Sequence, residues 1–340
     1  MGIKTVVVGL GMGKVHAREI RATPGLELYG VCDTRPHRRD EGRGEFGGHV
    51  YERLEDVIAD ENVQLVVLAV PHHLHTEMAL ATMAAKKHTV LEKPFCMTPE
   101  EGERMIAARD EHGVMLSIHH QRRWDADFYH LREWLAQNPI GPLFHMQLSW
   151  HAWGPMHDWR ATRAAGGGIW YDLGAHLVDQ ANLLARSRPK RVFAVQNHAM
   201  WHQEVETFCR ATITYENGMS VVIFTATNAA TEMPRWYILG ERGAIRKERF
   251  GEAGEFEFIQ CHGEERHRAT LPIELVGPGY YANISAHLNR GEPLEVTAEQ
   301  ALEVIRVLDA ANRSAASGDA IDLIEQPDAP RRTRRARSDV

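Results

Sequence analysis

The sequence predicts an α/β protein. We expect a doubly wound parallel sheet in its first part and an α+β domain with a large open, mostly antiparallel sheet in its second. In the first part, short apolar runs alternate with helical segments, which is typical of parallel βαβ units. From about Trp124 onward, strand-like segments follow one another through short turns. The chain has 340 residues, more than one ordinary domain needs, so we expect two domains.

The composition excludes several classes of function. Hydrophobic residues make up 44% of the chain and charged residues 25%, which are globular averages. The formal net charge of -7 gives no sign of nucleic-acid or membrane binding. Four scattered cysteines predict reduced thiols, and the N-terminus enters a strand pattern directly without a signal peptide. We therefore expect a cytoplasmic location.

The first strand, Ile3 to Val8, ends in a glycine-rich turn. Gly9, Gly11 and Gly13, with Met12 between the last two, precede a helical stretch that runs to Ala22. A strand, a glycine turn and a helix form the dinucleotide-binding context of a Rossmann domain, because the backbone and the helix N-terminus face a pyrophosphate there. The spacing is Gly-x-Gly-x-Gly, one residue shorter than the usual fingerprint.

The second strand, Leu26 to Cys32, delivers Asp33 at its carboxyl end. A carboxylate at this point accepts both ribose hydroxyls of an adenosine and repels a 2′-phosphate, which favours NAD over NADP. Three arginines follow closely and would tolerate a phosphate, so NADP stays open; they are Arg35, Arg38 and Arg39. The alternative is that Asp33 is only a turn residue.

The alternation continues through the rest of this half. We predict helix Leu54–Asp60, strand Gln64–Val70, a helix ending at Lys86, strand Thr89–Leu91, a helix from Thr98 to about Gly113, and strand Val114–Ile118. Polar residues follow several of these strands, and ligands of doubly wound sheets bind at that edge. Lys93, held by Pro94 after the strand at Thr89–Leu91, would polarise a substrate oxygen or move a proton. The alternative for Lys93 is a surface residue paired with Glu92.

A glycine run at residues 166–168 leads into a predicted helix. Asp172, His176 and Asp179 stand at i, i+4 and i+7 and so would share one helical face. A histidine in register with carboxylates suits proton transfer. The alternative is a half-buried helix with a hydrogen-bonded histidine.

The second half is predicted to be rich in strands. After a helix at Asp127–Gln137, the segments resembling strands are Leu143–Trp150, Arg191–Asn197, Thr207–Glu216, Ser220–Thr227, Arg235–Gly240, Ala244–Arg249, Glu255–Gln260 and Glu264–Leu271. Asn217-Gly218 is a hairpin turn, and a capping box at Thr297 starts a helix that closes near Gly318. An uncovered sheet face needs a partner, so we expect a homodimer or homotetramer.

Several motifs occur together in order along the chain. They are the glycine turn, Asp33, the Pro71-x-x-x-His75 spacing, Glu92-Lys93-Pro94, and the glycine run followed by Asp172 and His176. In this combination the chain resembles the Gfo/Idh/MocA family of nicotinamide-dependent oxidoreductases, which includes inositol dehydrogenase and glucose–fructose oxidoreductase. The resemblance extends from Ile3 to about Leu323. His119-His120-Gln121 departs from it, because many relatives carry an aromatic residue and asparagine there.

The resemblance implies a domain plan and a set of site residues. The domains would be residues 1–122 for the dinucleotide and 123–325 for substrate and oligomerisation, with helix 297–317 packing back on the first domain. Arginines among prolines and small residues separately predict a disordered basic tail at 326–340. The implied cofactor residues are Gly9, Gly11, Met12, Gly13, Asp33, Thr34, Arg35, Val70, Pro71, His72, His75, Glu92, Lys93 and Gln121. The implied catalytic group is Lys93, Asp172 and His176. The candidate substrate residues are these three together with Arg122, Arg123, Trp124, His151, Trp153, His157 and Tyr281.

The resemblance implies hydride transfer between a nicotinamide cofactor and a hydroxyl of a sugar, sugar derivative or cyclitol. Two alternatives stay open: an NAD-dependent glycosidase that oxidises a sugar hydroxyl transiently, and a non-catalytic NAD-bound sensor. Two sets of residues would permit a metal: His72, His73 and His75, or His151 and His157 with Asp158. We predict no metal, because zinc needs three or four convergent ligands and the consecutive His72 and His73 point in different directions. His75 has a cofactor-site position in the resemblance. The expected partner is a small carbohydrate or polyol, with neither nucleic acid nor membrane.

Overall fold

The first half of the chain forms a parallel six-stranded sheet. The computed structural model describes residues 2–198, 200–249, 251 and 254–324, so the predicted basic tail at 326–340 lies outside the described residues. The sheet order is β3-β2-β1-β4-β5-β6, with β1 Ile3–Val8, β2 Leu26–Cys32, β3 His49–Tyr51, β4 Leu65–Leu68, β5 His88–Leu91 and β6 Leu116–Ile118. The central strands are apolar because helices cover both faces. The predicted doubly wound sheet is confirmed.

Helices connect these strands. They are α1 Gly13–Ala22, α2 Pro36–Phe46, α3 Leu54–Ala59, α4 His75–Ala84 and α5 Pro99–His112. The sequence reasoning missed α2 and β3. Gly42 is the buried residue of α2, whose polar sequence has no apolar stripe to reveal a helix.

The second half forms a nine-stranded sheet. Its order is β14-β13-β12-β11-β7-β10-β9-β8-β15, and β7 and β10 are its parallel pair. The strands are β7 Leu143–His151, β8 Pro189–Asn197, β9 Phe208–Tyr215, β10 Ser220–Ala226, β11 Trp236–Gly240, β12 Gly243–Lys247, β13 Glu255–His262, β14 Glu265–Pro272 and β15 Ile321–Asp322. The predicted separate, mostly antiparallel sheet is therefore confirmed.

Four further helices accompany this sheet. They are α6 Ala126–Ala136, α7 Ala175–Ala185, α8 Tyr280–Arg290 and α9 Ala298–Ser317; the sequence reasoning missed α8. Thr297 and Gln300 form the predicted capping box of α9. Helix α9 contacts both α7 and α5, and Arg109 pairs with Glu299 at 2.7 Å across the second contact. None of the helices in the described part of the chain combines the length and apolarity needed to cross a membrane.

The segment before α7 is a π-helical turn, Trp170–Gly174. This corrects the prediction that Asp172, His176 and Asp179 lie on one α-helical face, because Asp172 belongs to the π-turn and α7 begins at Ala175. A side chain at Gly174 would stand 2.4 Å from the Trp170 ring, so the turn depends on glycine. A wider turn of this kind occurs frequently at functional sites.

Candidate active site

The predicted cofactor residues gather at one edge of the parallel sheet. They follow the carboxyl ends of five of its strands, with Gly9, Gly11, Met12 and Gly13 after β1, Asp33, Thr34 and Arg35 after β2, Val70, Pro71, His72 and His75 after β4, Glu92 and Lys93 after β5, and Gln121 after β6. Carboxyl ends of parallel strands form the ligand edge of a doubly wound sheet. The fold thus brings these separated segments to a common cleft.

The glycine turn fits a dinucleotide. Gly9 has φ +92°, and a Cβ there would stand 2.3 Å from the Ala69 carbonyl oxygen, so only glycine is accommodated. A Cβ at Gly11 would meet nothing within 4 Å, so this part of the turn faces open space. Since α1 begins at Gly13, its N-terminus stands beside that space. Accessible backbone and a helix N-terminus are what a pyrophosphate requires.

Asp33 is a buried carboxylate held in place by hydrogen bonds. Its Oδ2 accepts from the backbone N–H of Leu10 at 2.8 Å, and its Oδ1 accepts from the backbone N–H of Arg35 at 2.9 Å. The Arg35 guanidinium also donates to both oxygens at 3.0 Å. Burial alone would raise the pKa of Asp33, but the hydrogen bonds from Arg35 and Leu10 lower it below its ordinary value. Asp33 is therefore a fixed negative charge beside the glycine turn.

Lys93 and Asp172 form an ion pair between the two halves of the chain. Nζ of Lys93 donates to Oδ1 of Asp172 at 2.6 Å and to its carbonyl oxygen at 2.7 Å. Arg160, which the sequence reasoning missed, lies with its Nε 3.4 Å from the other carboxylate oxygen. Burial would raise the pKa of Asp172, but the nearby Lys93 ammonium lowers it below its ordinary value. The pair keeps the Lys93 ammonium at the cleft.

His176 is 4% exposed and lies beside Trp150 and His120. Its ring is roughly parallel to that of Trp150, with centroids 5.7 Å apart, and stands nearly perpendicular to His120 at 6.4 Å. Burial, together with the charges of Lys93 and Arg122, lowers the pKa of His176 well below its ordinary value. His176 is therefore neutral at physiological pH and able to accept a proton. The sequence reasoning passed over Trp150 as a strand residue.

Glu92 is the centre of a buried hydrogen-bond network that the sequence reasoning missed. Its Oε1 lies 2.7 Å from Nε2 of His16 and 3.0 Å from Nδ1 of His119, and its Oε2 accepts from the Lys93 backbone N–H at 3.0 Å. His16, Glu92 and His119 are side-chain types that also bind metals. We interpret the cluster as hydrogen-bonded because its distances are those of direct hydrogen bonds. His16 lies three residues after Gly13, one turn into α1. This position next to the glycine turn could have identified His16 as a site residue from the sequence.

Two of the predicted cofactor residues are buried beneath the edge. His75 is fully buried, with Nδ1 2.9 Å from the carbonyl oxygen of Pro94 and Nε2 3.0 Å from that of Val70. The ring thus holds two site loops together, and the predicted contact of His75 with the cofactor stays a prediction. His72 is 4% exposed, and its Nδ1 lies 2.8 Å from the carbonyl oxygen of Gly166. His72 thus connects the β4 loop to the glycine run.

Arg122 and Arg123 lie in different surroundings although they are neighbours. The Arg122 guanidinium is 5.2 Å from the Trp150 ring centroid, and it donates to Asp125. Arg123 is 2% exposed and makes a bidentate ion pair with Asp179 at 2.5 and 2.8 Å. The Arg123 guanidinium is enclosed in that ion pair, which favours a structural role, and its predicted contact with substrate stays a prediction.

The other predicted substrate residues are dispersed. Trp124 is 7% exposed and packs against Tyr280, so it belongs to the core rather than the cleft. Tyr281 is 2% exposed and its hydroxyl lies 2.6 Å from Nδ1 of His16, so its predicted contact with substrate stays a prediction. His151 accepts from the backbone N–H of Met233 at 2.7 Å. Two residues of the loop after β7, Trp153 and His157, are exposed. Their contact with substrate stays a prediction.

Comparisons with known proteins give a consistent result. A model described as the oxidoreductase family with an NAD-binding Rossmann fold matches residues 3–120, and one described as the GFO/IDH/MocA C-terminal domain matches residues 128–246. The scyllo-inositol 2-dehydrogenase (NADP(+)) IolW of Bacillus subtilis is 28% identical over 341 residues, covering 92% of this chain and 93% of that protein.

Solved structures agree with these matches. The NAD-binding protein from Listeria innocua superposes with a TM-score of 0.88 at 31% identity, covering 95% of this chain and 97% of that one. The WlbA dehydrogenase from Bordetella pertussis, in complex with NADH and UDP-GlcNAcA, gives a TM-score of 0.82 at 25% identity, with coverage of 96% and 100%.

Proposed function

This chain belongs to the Gfo/Idh/MocA family of oxidoreductases, and on that premise we propose that it transfers a hydride between NAD and a hydroxyl-bearing carbon of a sugar, sugar derivative or cyclitol. The observation that carries the proposal is the Lys93–Asp172 ion pair, which stands at the same cleft as the neutral His176. IolW, a scyllo-inositol dehydrogenase by name, supports a cyclitol or related polyol as the substrate class.

Three side chains carry the chemistry in this proposal. The bound nicotinamide supplies the hydride acceptor, C4. His176 accepts the hydroxyl proton, so that the C–O bond becomes C=O as the C–H bond is broken. The Lys93 ammonium donates a hydrogen bond to the same oxygen and stabilises the negative charge that develops on it. Asp172 orients the Lys93 side chain through the contact at 2.6 Å.

We propose NAD as the preferred cofactor. A buried, ionised Asp33 after β2 favours ribose hydroxyls and disfavours a 2′-phosphate. Arg35 is engaged with Asp33 on both carboxylate oxygens, so it would have to leave that carboxylate to bind a phosphate. The name of IolW specifies NADP(+), so the preference needs a direct measurement.

We also propose that the chain forms a homo-oligomer through the nine-stranded sheet. Phe193 and Val195 on β8 are 42% and 49% exposed, and Tyr237 on β11 is 38% exposed. Exposed apolar side chains on a sheet face favour a protein partner, and a second copy is the simplest one. Light scattering after size-exclusion chromatography, with a Val195→Lys variant for comparison, tests this proposal.

The function is tested by a panel of cyclitols, aldoses, acidic sugars and aryl glycosides with NAD and NADP separately. Accumulation of NADH in step with consumption of a polyol supports the dehydrogenase, and Lys93→Met should slow it strongly. Cleavage of an aryl glycoside without net NADH would instead assign the glycosidase activity. Thermal-shift measurements on the same panel identify ligands by mass action even where turnover is slow. If the cofactors bind and no compound of the panel is consumed, the non-catalytic sensor is the better explanation.

A further inference from the structure

We propose that His120 is a positioning residue that fixes the tautomer of His176, with Asp179 in turn orienting His120. The inference rests on the proposed function, because it concerns the proton acceptor assigned there. It adds to the site a residue that lies after β6, where the sequence departs from the family pattern.

The neutral His176 ring carries one hydrogen, on either Nδ1 or Nε2. Its Nδ1 is buried and has no hydrogen-bond partner among the described residues. A buried Nδ1 does not meet substrate, so the ring has to accept the hydroxyl proton at Nε2. A neutral imidazole that accepts at Nε2 carries its hydrogen on Nδ1. A buried N–H without an acceptor costs about 1–3 kcal/mol, so the catalytic tautomer needs an acceptor beside Nδ1.

His120 is the neighbour of His176 that can supply this acceptor. The His120 ring is 1% exposed and stands 6.4 Å from the His176 ring at an interplanar angle of 81°. Neither nitrogen of His120 has a hydrogen-bond partner within the part of the chain that the structure describes. Two buried histidine rings with three unpartnered nitrogens between them are therefore neighbours. A small rotation or one bridging water completes a hydrogen bond between them.

Asp179 determines which nitrogen of His120 carries the hydrogen. Nδ1 of His120 lies 4.0 Å from Oδ2 of Asp179, a carboxylate that Arg123 holds at 2.5 and 2.8 Å. The carboxylate favours a hydrogen on Nδ1 of His120, which leaves Nε2 of His120 as the acceptor for His176. Burial lowers the pKa of His120 to about 4, against the attraction of Asp179, so the ring stays neutral and acts as donor and acceptor at once.

Nuclear magnetic resonance of protein labelled with ¹⁵N-histidine tests the inference without any substrate. We expect wild-type His176 in the Nδ1–H tautomer, with its signals assigned by their loss in His176→Ala. His120→Phe keeps a planar ring without nitrogens and should shift His176 toward the other tautomer. His120→Gln, which both donates and accepts, should retain the wild-type tautomer. Buried His130 lies on α6, where its Nδ1 accepts backbone N–H bonds, so His130→Phe is the matched control.

Kinetics provide the second readout. With the polyol identified by the substrate panel, His120→Phe should lower kcat at least about tenfold with little change in KM, and His120→Gln should restore most of it. Wild-type His176 in the Nε2–H tautomer would overturn the inference, as would an unchanged tautomer or kcat in His120→Phe. If His120→Phe does not fold, the wild-type tautomer and the behaviour of His120→Gln still decide. If no polyol reduces NAD, the proposed function fails while the tautomer measurement still tests His120.

Discussion

Nζ of Lys93 lies 2.6 Å from Oδ1 of Asp172, although the two residues are 79 positions apart in the chain. Lys93 follows β5 of the parallel sheet and Asp172 belongs to the π-helical turn before α7. The side chains are 11% and 17% exposed, so the pair is largely shielded from water. The charged group at the cleft therefore exists only when the two halves of the chain are docked.

Replacing Lys93 by Met removes the ammonium while keeping the bulk of the side chain. We expect kcat to fall by about 10²–10⁴-fold, because both the hydrogen bond to the developing alkoxide and its charge stabilisation are lost. Initial rates of NADH formation with the polyol measure the effect. Lys86→Met, at an exposed lysine after α4, is the matched control and should leave the rate unchanged. Near-wild-type turnover in Lys93→Met would remove Lys93 from the catalytic group.

The central strands of the fold were predictable from the sequence. The bounds of β1 and β2 agree with the predicted ones, because the buried carboxyl-terminal part of each strand is apolar, as the parts of strands that are covered on both faces have to be. Helix α2 was not predictable by the same rule, since it buries little beyond Gly42 and has no apolar stripe. A helix or strand is therefore easier to recognise in the sequence the more apolar residues it buries.

The candidate site was predictable where its residues sit in local motifs. Lys93 is placed by the strand end and the proline after it, but nothing local distinguishes Arg122 from Arg123. Both lie in one short 3-10 turn after β6, and only the position of Asp179 on α7 shows which guanidinium turns inward. The π-turn at Trp170–Gly174 likewise depends on tertiary packing around Gly174, which periodicity does not reveal.

Replacing Asp33 by Ser tests the cofactor preference. The substitution removes the buried negative charge and releases the Arg35 guanidinium that now pairs with it. We expect KM for NAD to rise and KM for NADP to fall, so that the ratio of kcat/KM for the two cofactors moves toward NADP by about tenfold or more. An Asp33→Ser, Arg35→Ala double variant is the control and should lose the gain for NADP. An unchanged ratio in Asp33→Ser would mean that the carboxylate does not set the preference.

Stability should fall in mild acid because several histidines are buried in the neutral form. Burial lowers the pKa of His72 to about 3 and that of His119 and His120 to about 4. In the unfolded chain a histidine titrates near about 6.5, so below that pH the unfolded state binds more protons and gains free energy. At about pH 5 each such group lowers the free energy of unfolding by about 2 kcal/mol relative to neutral pH.

Urea unfolding at neutral pH and at about pH 5 measures this effect. His120→Phe should show a smaller loss than wild type, because one of the protonating groups is gone. His37→Phe, at an exposed position, is the control and should lose as much stability in acid as wild type. Equal free energies of unfolding at the two pH values in wild type would show that these rings are not held neutral in the folded state.

Alanine variants of Arg122 and Arg123, made separately, should show which arginine binds the substrate and which stabilises the fold. Arg123→Ala leaves the buried Asp179 carboxylate unpaired, so we expect a loss of about 3–5 kcal/mol in the free energy of unfolding. Arg122 is 30% exposed and bonds to Asp125 beside the Trp150 ring. Arg122→Ala should therefore lower the free energy of unfolding by about 1 kcal/mol or less while raising KM for the polyol.

Urea unfolding and steady-state kinetics on both variants make the comparison, with each variant the control for its neighbour. The reverse pattern, an unstable Arg122→Ala and a stable Arg123→Ala with raised KM, would mean that Arg123 rather than Arg122 meets the substrate.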